Sequence, residues 1–283
     1  MEIMRAETAG FCMGVDLALR KLEALLTETK RHGTIHTLGP IIHNPQVMAE
    51  YASRGVLRAD NPEDVLPGST VVIRAHGVPR NVCDSLKAKG IRLVDATCPR
   101  VRTAQKLIAK QAEKGRILLL FGEEDHPEVK GLLSHASAGA YVFDSPERLA
   151  GLDLPSGPEY FLAAQTTQDR QEFEIIQEML KERFKRDFPV LSTICDATMN
   201  RQKEAIELAG SVDYMVVVGG FESGNTRRLA QVVRSAGASC VHVETADQLP
   251  LDELRTFGKI GLTAGASTPK KIIDHVHTVL ASL

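Results

Sequence analysis

The sequence predicts an α/β fold of three pseudo-threefold-related modules, each built on a small parallel sheet, around one central cavity. Three observations carry that prediction. Cysteines 12, 98 and 195 each close a strand-like run and open an amphipathic helical one, in GFCMGVDLALRKLE, VDATCPRVRTAQKL and TICDATMNRQKEAIEL. The intervals between them are 86 and 97 residues, and the return from Cys195 through the C-terminus to Cys12 makes 100. Strands and helices alternate in each interval, which implies parallel pairing with right-handed crossovers.

After each cysteine and its helix comes a short apolar strand, a glycine, and a polar residue ahead of another helix: HTLGPIIHNPQVM, LLLFGEEDHPEVKGL and VVVGGFESGNTRRLAQ. His43, His126 and Asn225 lie 31, 28 and 30 residues beyond their cysteines. A second strand then leads into a proline or acidic helix start, in GVLRADNPEDV, AYVFDSPERLA and CVHVETADQLP, which suits the free N–H groups of a first turn. A third strand, VVIRAHGV, YFLAAQTTQ or IGLTAGAST, ends at His76, Thr166 or Ser267. Modules one and two add a fourth strand, IRLVDAT and PVLSTI, that delivers the next cysteine. Module three ends in a helix near 268–281, so its fourth strand is expected to be the N-terminal run EIMRAET. The modules are therefore 14–97, 98–193, and 194–283 completed by 1–13. All nine repeated positions fall at the carboxyl ends of strands, where ligands gather in such sheets.

Bulk properties narrow the function. A 283-residue chain with 43% hydrophobic content can bury a large core, and a net charge of −2 leaves no basic footprint for nucleic acid. Residues 1–10 lack a signal-peptide core and the longest apolar runs are too short to span a bilayer, so a cytoplasmic location is expected. Five cysteines without a CxxC pair favour neither a disulfide framework nor a zinc ribbon.

Cys83 and Cys240 read as small buried apolar groups. Cys12, Cys98 and Cys195 recur in register and read as three thiolate ligands of one iron-sulfur cluster, with one iron left open as a Lewis acid; zinc is the alternative metal, although the absence of close Cys pairs disfavours a structural zinc site. His32, His36, His135, His242, His275 and His277 occupy no repeated position. His43, His76 and His126 do, and neutral or protonated imidazole can donate to an anion. Ser223, Asn225 and Ser267 either cap helices or donate to phosphate at helix starts. Glu128, two residues past His126, is a candidate proton donor at a helix start, with Thr166 as a hydroxyl that relays or orients. GGFESG is neither a dinucleotide fingerprint nor a P-loop.

Taken in order, GFCMGVD, IIHNP, AHGV, DATCP, HPEVKG, AQTT, CDATMNRQ, SGNTRRL and TAGAS resemble the LytB-type family of 4-hydroxy-3-methylbut-2-enyl diphosphate reductases, nearly end to end. The resemblance implies a three-lobed α/β fold with a 4Fe-4S cluster on Cys12, Cys98 and Cys195. It implies that His43, His76, Ser223, Asn225 and Ser267 bind the diphosphate, and that His126, Glu128 and Thr166 surround the substrate hydroxyl. The implied reaction uses two electrons and two protons, removes that hydroxyl as water and forms isopentenyl and dimethylallyl diphosphates, with a ferredoxin- or flavodoxin-type protein as electron donor. Gly224 departs from members that carry a second serine there. A quinolinate-synthase-like lyase would share the architecture but favours carboxylate-binding arginines, and an iron-sulfur sensor would need a partner module that the sequence lacks.

Overall fold

The computed structural model describes residues 1–28 and 33–283; His32 lies outside them. In chain order, β1 (Glu2–Arg5) is followed by α1 (Met13–Thr27), β2 (Ile35–Leu38), α2 (Pro45–Ser53), β3 (Val56–Ala59), β4 (Thr70–Ile73), α3 (Arg80–Ala88) and β5 (Arg92–Asp95). The chain continues through α4 (Pro99–Ala112), β6 (Ile117–Phe121), α5 (Pro127–Leu133), β7 (Ala140–Phe143), α6 (Pro146–Ala150), β8 (Tyr160–Ala164) and α7 (Arg170–Phe184). It closes with α8 (Asp196–Ala209), β9 (Tyr214–Val218), α9 (Gly224–Ser235), β10 (Cys240–Val243), α10 (Leu251–Leu254), β11 (Lys259–Ala264) and α11 (Lys270–Ala281). Among the described residues, no helix is long and apolar enough to cross a membrane.

The strands form three parallel sheets, ordered β3-β2-β4-β5, β7-β6-β8 and β10-β9-β11-β1. Each places its first strand centrally, with the second on one side and the third on the other. Beyond the third strand of the first and third sheets lies a fourth. In the third sheet that strand is β1, registered Glu2 to Lys259 through Arg5 to Leu262.

The second sheet departs from the expectation, because PVLSTI forms no strand and makes only an isolated bridge from Val190 to Leu162. Two backbone bonds form there, Leu162 N–H to Pro189 O at 2.9 Å and Leu191 N–H to Leu162 O at 2.8 Å. Past that point a side chain replaces the ladder. Thr193 Oγ1 accepts from Ala164 N–H at 2.8 Å and donates to Ala164 O at 2.7 Å. Pro189 has no N–H to extend the pairing in the other direction.

Burial explains why the central strands read as continuous apolar runs. Every residue of β6, β8 and β9 except Ile117 is buried, as expected of parallel strands covered on both faces. Alternation divides β9 between two cores. Tyr214, Val216 and Val218 pack with Ile273, Val276 and Leu280 of α11, whereas Met215 and Val217 pack with Ala205 and Leu208 of α8 and Leu229 and Val233 of α9. The second sheet is covered by Ala104 and Ile108 of α4 and by Val129 and Leu132 of α5, against Leu118, Leu120 and Phe161.

The chain divides into two compact units. One comprises Met1–Asp16, Ile42–Tyr51 and Asp196–Leu283 and holds the third sheet; the other comprises Leu17–Ile41 and Ala52–Cys195 and holds the first and second.

Candidate active site

The three cysteines share one backbone arrangement. In each sheet the turn after the third strand accepts the cysteine N–H: Ala75 O from Cys98 at 2.9 Å, Thr166 O from Cys195 at 3.0 Å, and Ala266 O from Cys12 at 3.2 Å. A helix starts immediately after each, α4 at Pro99, α8 at Asp196 and α1 at Met13. The carbonyls of Cys98 and Cys12 then begin helical bonding by accepting from Arg102 at 2.9 Å and from Asp16 at 3.0 Å. All three are free of disulfides and partly exposed. Soft sulfur donors at helix starts, where negative charge is favoured, fit an iron-sulfur group. Cys83 and Cys240 are different: burial pushes both thiols up, Cys240 to about 11.

The unit with the first two sheets contains the candidate acid. Pro127 at the first position of α5 and His126 as its N-cap fix the helix start and put Glu128 in the first turn. Glu128 is 1% exposed. Burial raises its pKa from 4.5 to about 7, against the opposing hydrogen bonds from Thr166. Thr166 N–H donates to Oε1 at 2.6 Å, and Thr166 Oγ1 lies 3.0 Å from Oε2. Oε1 faces an obligate donor, so the titrating proton belongs on Oε2, beside a hydroxyl that can either donate to it or receive its proton.

The same cap assigns a tautomer to His126. Its Nδ1 accepts from Glu128 N–H at 3.1 Å, so the neutral ring carries its proton on Nε2 and presents a donor there. His76 sits in the turn after β4, where Gly77 at φ +73° donates its N–H to Arg74 O at 2.9 Å. The His76 and His126 rings meet edge to face, with centroids 5.3 Å apart.

The other unit contains the remaining anion-site candidates. Ser223 caps α9, accepting from Thr226 N–H at 3.3 Å. Its hydroxyl lies 3.2 Å from Ser267 Oγ, which also donates to His43 O at 3.2 Å. Asn225 Oδ1 accepts from Ala266 N–H at 2.9 Å, which leaves its NH₂ group as the donor. Gly219 is required where β9 ends: its φ is +147°, and a Cβ there would stand 2.5 Å from Thr268 Oγ1. That close approach seats the Thr268 hydroxyl at the end of β9, where it donates to Val218 O at 3.0 Å.

His43, Ser223, Asn225 and Ser267 are thus brought together in one unit with Cys12; His76, His126, Glu128 and Thr166 lie in the other with Cys98 and Cys195. Two supporting residues escape sequence reasoning. Asn44 Oδ1 accepts from Val47 N–H at 3.0 Å and so fixes the start of α2 beside His43; the Asn-Pro pair at 44–45 is the signal for it. Gln165, fully buried, accepts from Glu123 N–H at 3.1 Å and steadies the loop before His126. A lone glutamine at a strand end carries no such signal.

The fold and these residues define an α/β protein with three thiols at equivalent strand ends, a buried titrating carboxyl and a cradle of hydroxyl and amide groups. The chain belongs to the LytB family, whose model matches residues 3–281. It is 61% identical over 285 residues to the 4-hydroxy-3-methylbut-2-enyl diphosphate reductase of Solidesulfovibrio magneticus, and 60% identical over 283 residues to that of Nitratidesulfovibrio vulgaris, with all of each chain covered. Among solved structures it is similar to the E-1-hydroxy-2-methyl-but-2-enyl-4-diphosphate reductase of Plasmodium falciparum, with a TM-score of 0.92 at 26% identity over 98% of this chain and 87% of that one. A second solved structure, (E)-4-hydroxy-3-methyl-but-2-enyl diphosphate reductase, described as the terminal enzyme of the non-mevalonate pathway, matches at 36% identity with a TM-score of 0.69 over the whole of both chains.

Proposed function

We propose that this chain catalyses the reductive dehydroxylation of 4-hydroxy-3-methylbut-2-enyl diphosphate to isopentenyl and dimethylallyl diphosphates, the last step of the non-mevalonate route to isoprenoids. The LytB family is iron-sulfur dependent, and in this proposal Cys12, Cys98 and Cys195 would hold a single 4Fe-4S cluster. When bound, that cluster supplies the two electrons, passed on from a ferredoxin- or flavodoxin-type donor, and a Lewis-acidic iron.

The protein's own residues supply the rest. Ser223, Asn225, Ser267, His43 and His76 hold the diphosphate and so orient the allylic end of the substrate, which lowers the entropic part of the barrier. Glu128 donates a proton from Oε2 to the departing hydroxyl through or beside Thr166 Oγ1, because hydroxide leaves poorly until protonated. His126 keeps a fixed Nε2–H donor in the hydrogen-bond network. The observation that carries this reading is Thr166: its N–H and hydroxyl hold Glu128, while its carbonyl receives the N–H of Cys195. One residue therefore ties the proposed acid to a proposed ligand.

The decisive experiment is anaerobic reconstitution with iron and sulfide, followed by assay with the hydroxylated diphosphate and a chemical reductant. Formation of both isoprenoid diphosphates by the parent, with iron and activity lost on Cys98→Ala but retained on Cys83→Ala, is expected. Full iron content after Cys98→Ala would overturn the ligand set.

A further inference from the structure

The segment from Ala6 to Cys12 has too few backbone partners to hold itself. It leaves the edge strand β1, and its backbone bonds include Ala6 N–H to Leu262 O at 2.9 Å, Ala9 N–H to Ala6 O at 3.3 Å, Cys12 N–H to Ala266 O at 3.2 Å and, where α1 begins, Asp16 N–H to Cys12 O at 3.0 Å. Gly10, at φ +112°, lets it turn back towards α1. Glu7 N–H, both backbone groups of Thr8 and Gly10 O are met by two side chains three residues apart on α8, and so on one face of that helix.

Arg201 is 3% exposed. Its Nη1 donates to Thr8 O and, at 3.1 Å, to Ala264 O, and its Nη2 donates to Gly10 O at 3.0 Å. Glu204 accepts from Glu7 N–H at 2.6 Å, from Thr8 N–H at 2.9 Å and from the Thr8 hydroxyl. Burial opposes ionisation of Glu204, but these bonds and the Arg201 charge hold its carboxyl below the usual range. Ala264 ends β11 two residues before Ala266, the acceptor for Cys12. One planar fork therefore grips both the loop that carries Cys12 and the strand end that anchors it, a geometry that an ammonium group cannot reproduce.

We propose that Arg201 and Glu204 are positioning residues for Cys12: they hold the 6–12 loop in the one conformation in which its thiol is placed to act as a ligand. Neither acts on substrate: Arg201 works through the backbone of Thr8 and Gly10, and Glu204 through that of Glu7 and Thr8. The consequence for the cluster rests on the reading of Cys12 as a ligand, whereas the effect on the loop does not.

The test uses the full chain, metal-free under anaerobic conditions and after reconstitution with iron and sulfide. Arg201→Lys and Glu204→Gln are compared with the parent by timed iodoacetamide labelling, with mass spectrometry reading each cysteine separately. Loss of a hydrogen bond to a charged group predicts that Cys12 labels at least about tenfold faster in Arg201→Lys, while Cys98, Cys195 and Cys83 stay within about twofold. Glu204→Gln shifts Cys12 in the same direction by less. Should Arg201→Lys fail to fold, the Glu204→Gln ratio of Cys12 to Cys98 decides alone. Unchanged Cys12 labelling, or an equal rise at all thiols, overturns the proposal, the latter because it marks general loosening. After reconstitution, the variants are expected to hold less iron per chain than the parent. Full iron content in Cys12→Ala would instead remove the ligand assignment and leave the labelling result standing.

Discussion

The proposed acid pair and the proposed anion cradle occupy the same kind of place, the carboxyl ends of parallel strands, yet they are built on opposite principles. Around Glu128 a single ionisable group is taken almost wholly out of water and left without a cationic partner in its hydrogen bonds, so that its pKa rises to about 7. The cradle uses hydroxyl and amide groups already engaged within the fold, as when Ser267 Oγ donates to His43 O and Asn225 Oδ1 accepts from Ala266 N–H, which leaves the Asn225 NH₂ group as donor. The first arrangement stores electrostatic cost in the resting protein in exchange for a proton available near neutral pH. The second stores little, and on the proposed reading it would meet an anion with hydroxyls that exchange bonds they already make and with the Asn225 NH₂ group.

The largest expected effect breaks the acid side alone. Glu128→Gln keeps the size of the side chain, can still accept from Thr166 N–H, and can donate to Thr166 Oγ1, but has no proton to release. Turnover should fall by ~100-fold or more while anaerobic substrate binding persists. Single-turnover product formation at the parental rate would exclude Glu128 as the obligatory acid and move the role to His126, whose Nε2–H is the other fixed donor.

The same substitution should change how stability depends on pH. The folded pKa of Glu128 is about 7 against 4.5 for the ordinary group, so the folded state binds the proton more tightly than the unfolded state does. The favourable contribution is fully present below pH 4.5 and is lost as pH rises through about 7. Above that, ionised Glu128 costs the fold roughly 3 kcal/mol relative to its protonated form. Urea unfolding of the parent and of Glu128→Gln in the same metal state should therefore show the variant gaining on the parent as pH rises from 4.5 to about 7, the interval the two pKa values bracket. Parallel stability curves would show that the carboxyl ionises freely in the folded protein.

A smaller effect probes the cradle. Removing one donor by Asn225→Ala, or the imidazole by His43→Ala, should weaken binding of inorganic diphosphate about tenfold to a hundredfold, the equivalent of ~1.5 to 3 kcal/mol for a hydrogen bond to a charged group. The pH dependence set by Glu128 should be unaffected. Parental affinity in both variants, measured by calorimetry, would place the anion elsewhere.

How far each region could be read from the sequence follows from what created it. The cysteines, His126, Thr166 and Ser267 recur at matching distances because three sheets of one topology set them at equivalent strand ends, and a repeat is visible without coordinates. The sign of the Glu128 shift is not visible, since it depends on burial by residues remote in sequence. Nor is the failure of PVLSTI to form a strand: its apolar pattern is strand-like, and only the position of the Thr193 hydroxyl against both backbone groups of Ala164 shows why the ladder stops. Arg201 and Glu204 were hidden for a related reason. On α8 they look like ordinary charges of a solvated helix face, and their partners lie 193 and 197 residues away in Thr8 and Glu7.

The smallest effect sharpens the comparison most, because it asks whether the cradle works by its side chains or by its backbone. Gly224, the buried first residue of α9, stands between the Ser223 cap and Asn225, where some family members carry serine. Gly224→Ser adds a neutral hydroxyl at a helix start, a position that tolerates serine and favours anions. One added neutral hydrogen bond is worth about 0.5 to 1.5 kcal/mol, so the affinity for inorganic diphosphate should rise by roughly twofold to tenfold, with no change in single-turnover rate. If affinity falls instead while the thermal midpoint holds, the absent side chain is itself the functional feature: the anion would then approach the Gly224 backbone N–H directly, and the neutral cradle would owe its fit to an open helix end rather than to a count of hydroxyls.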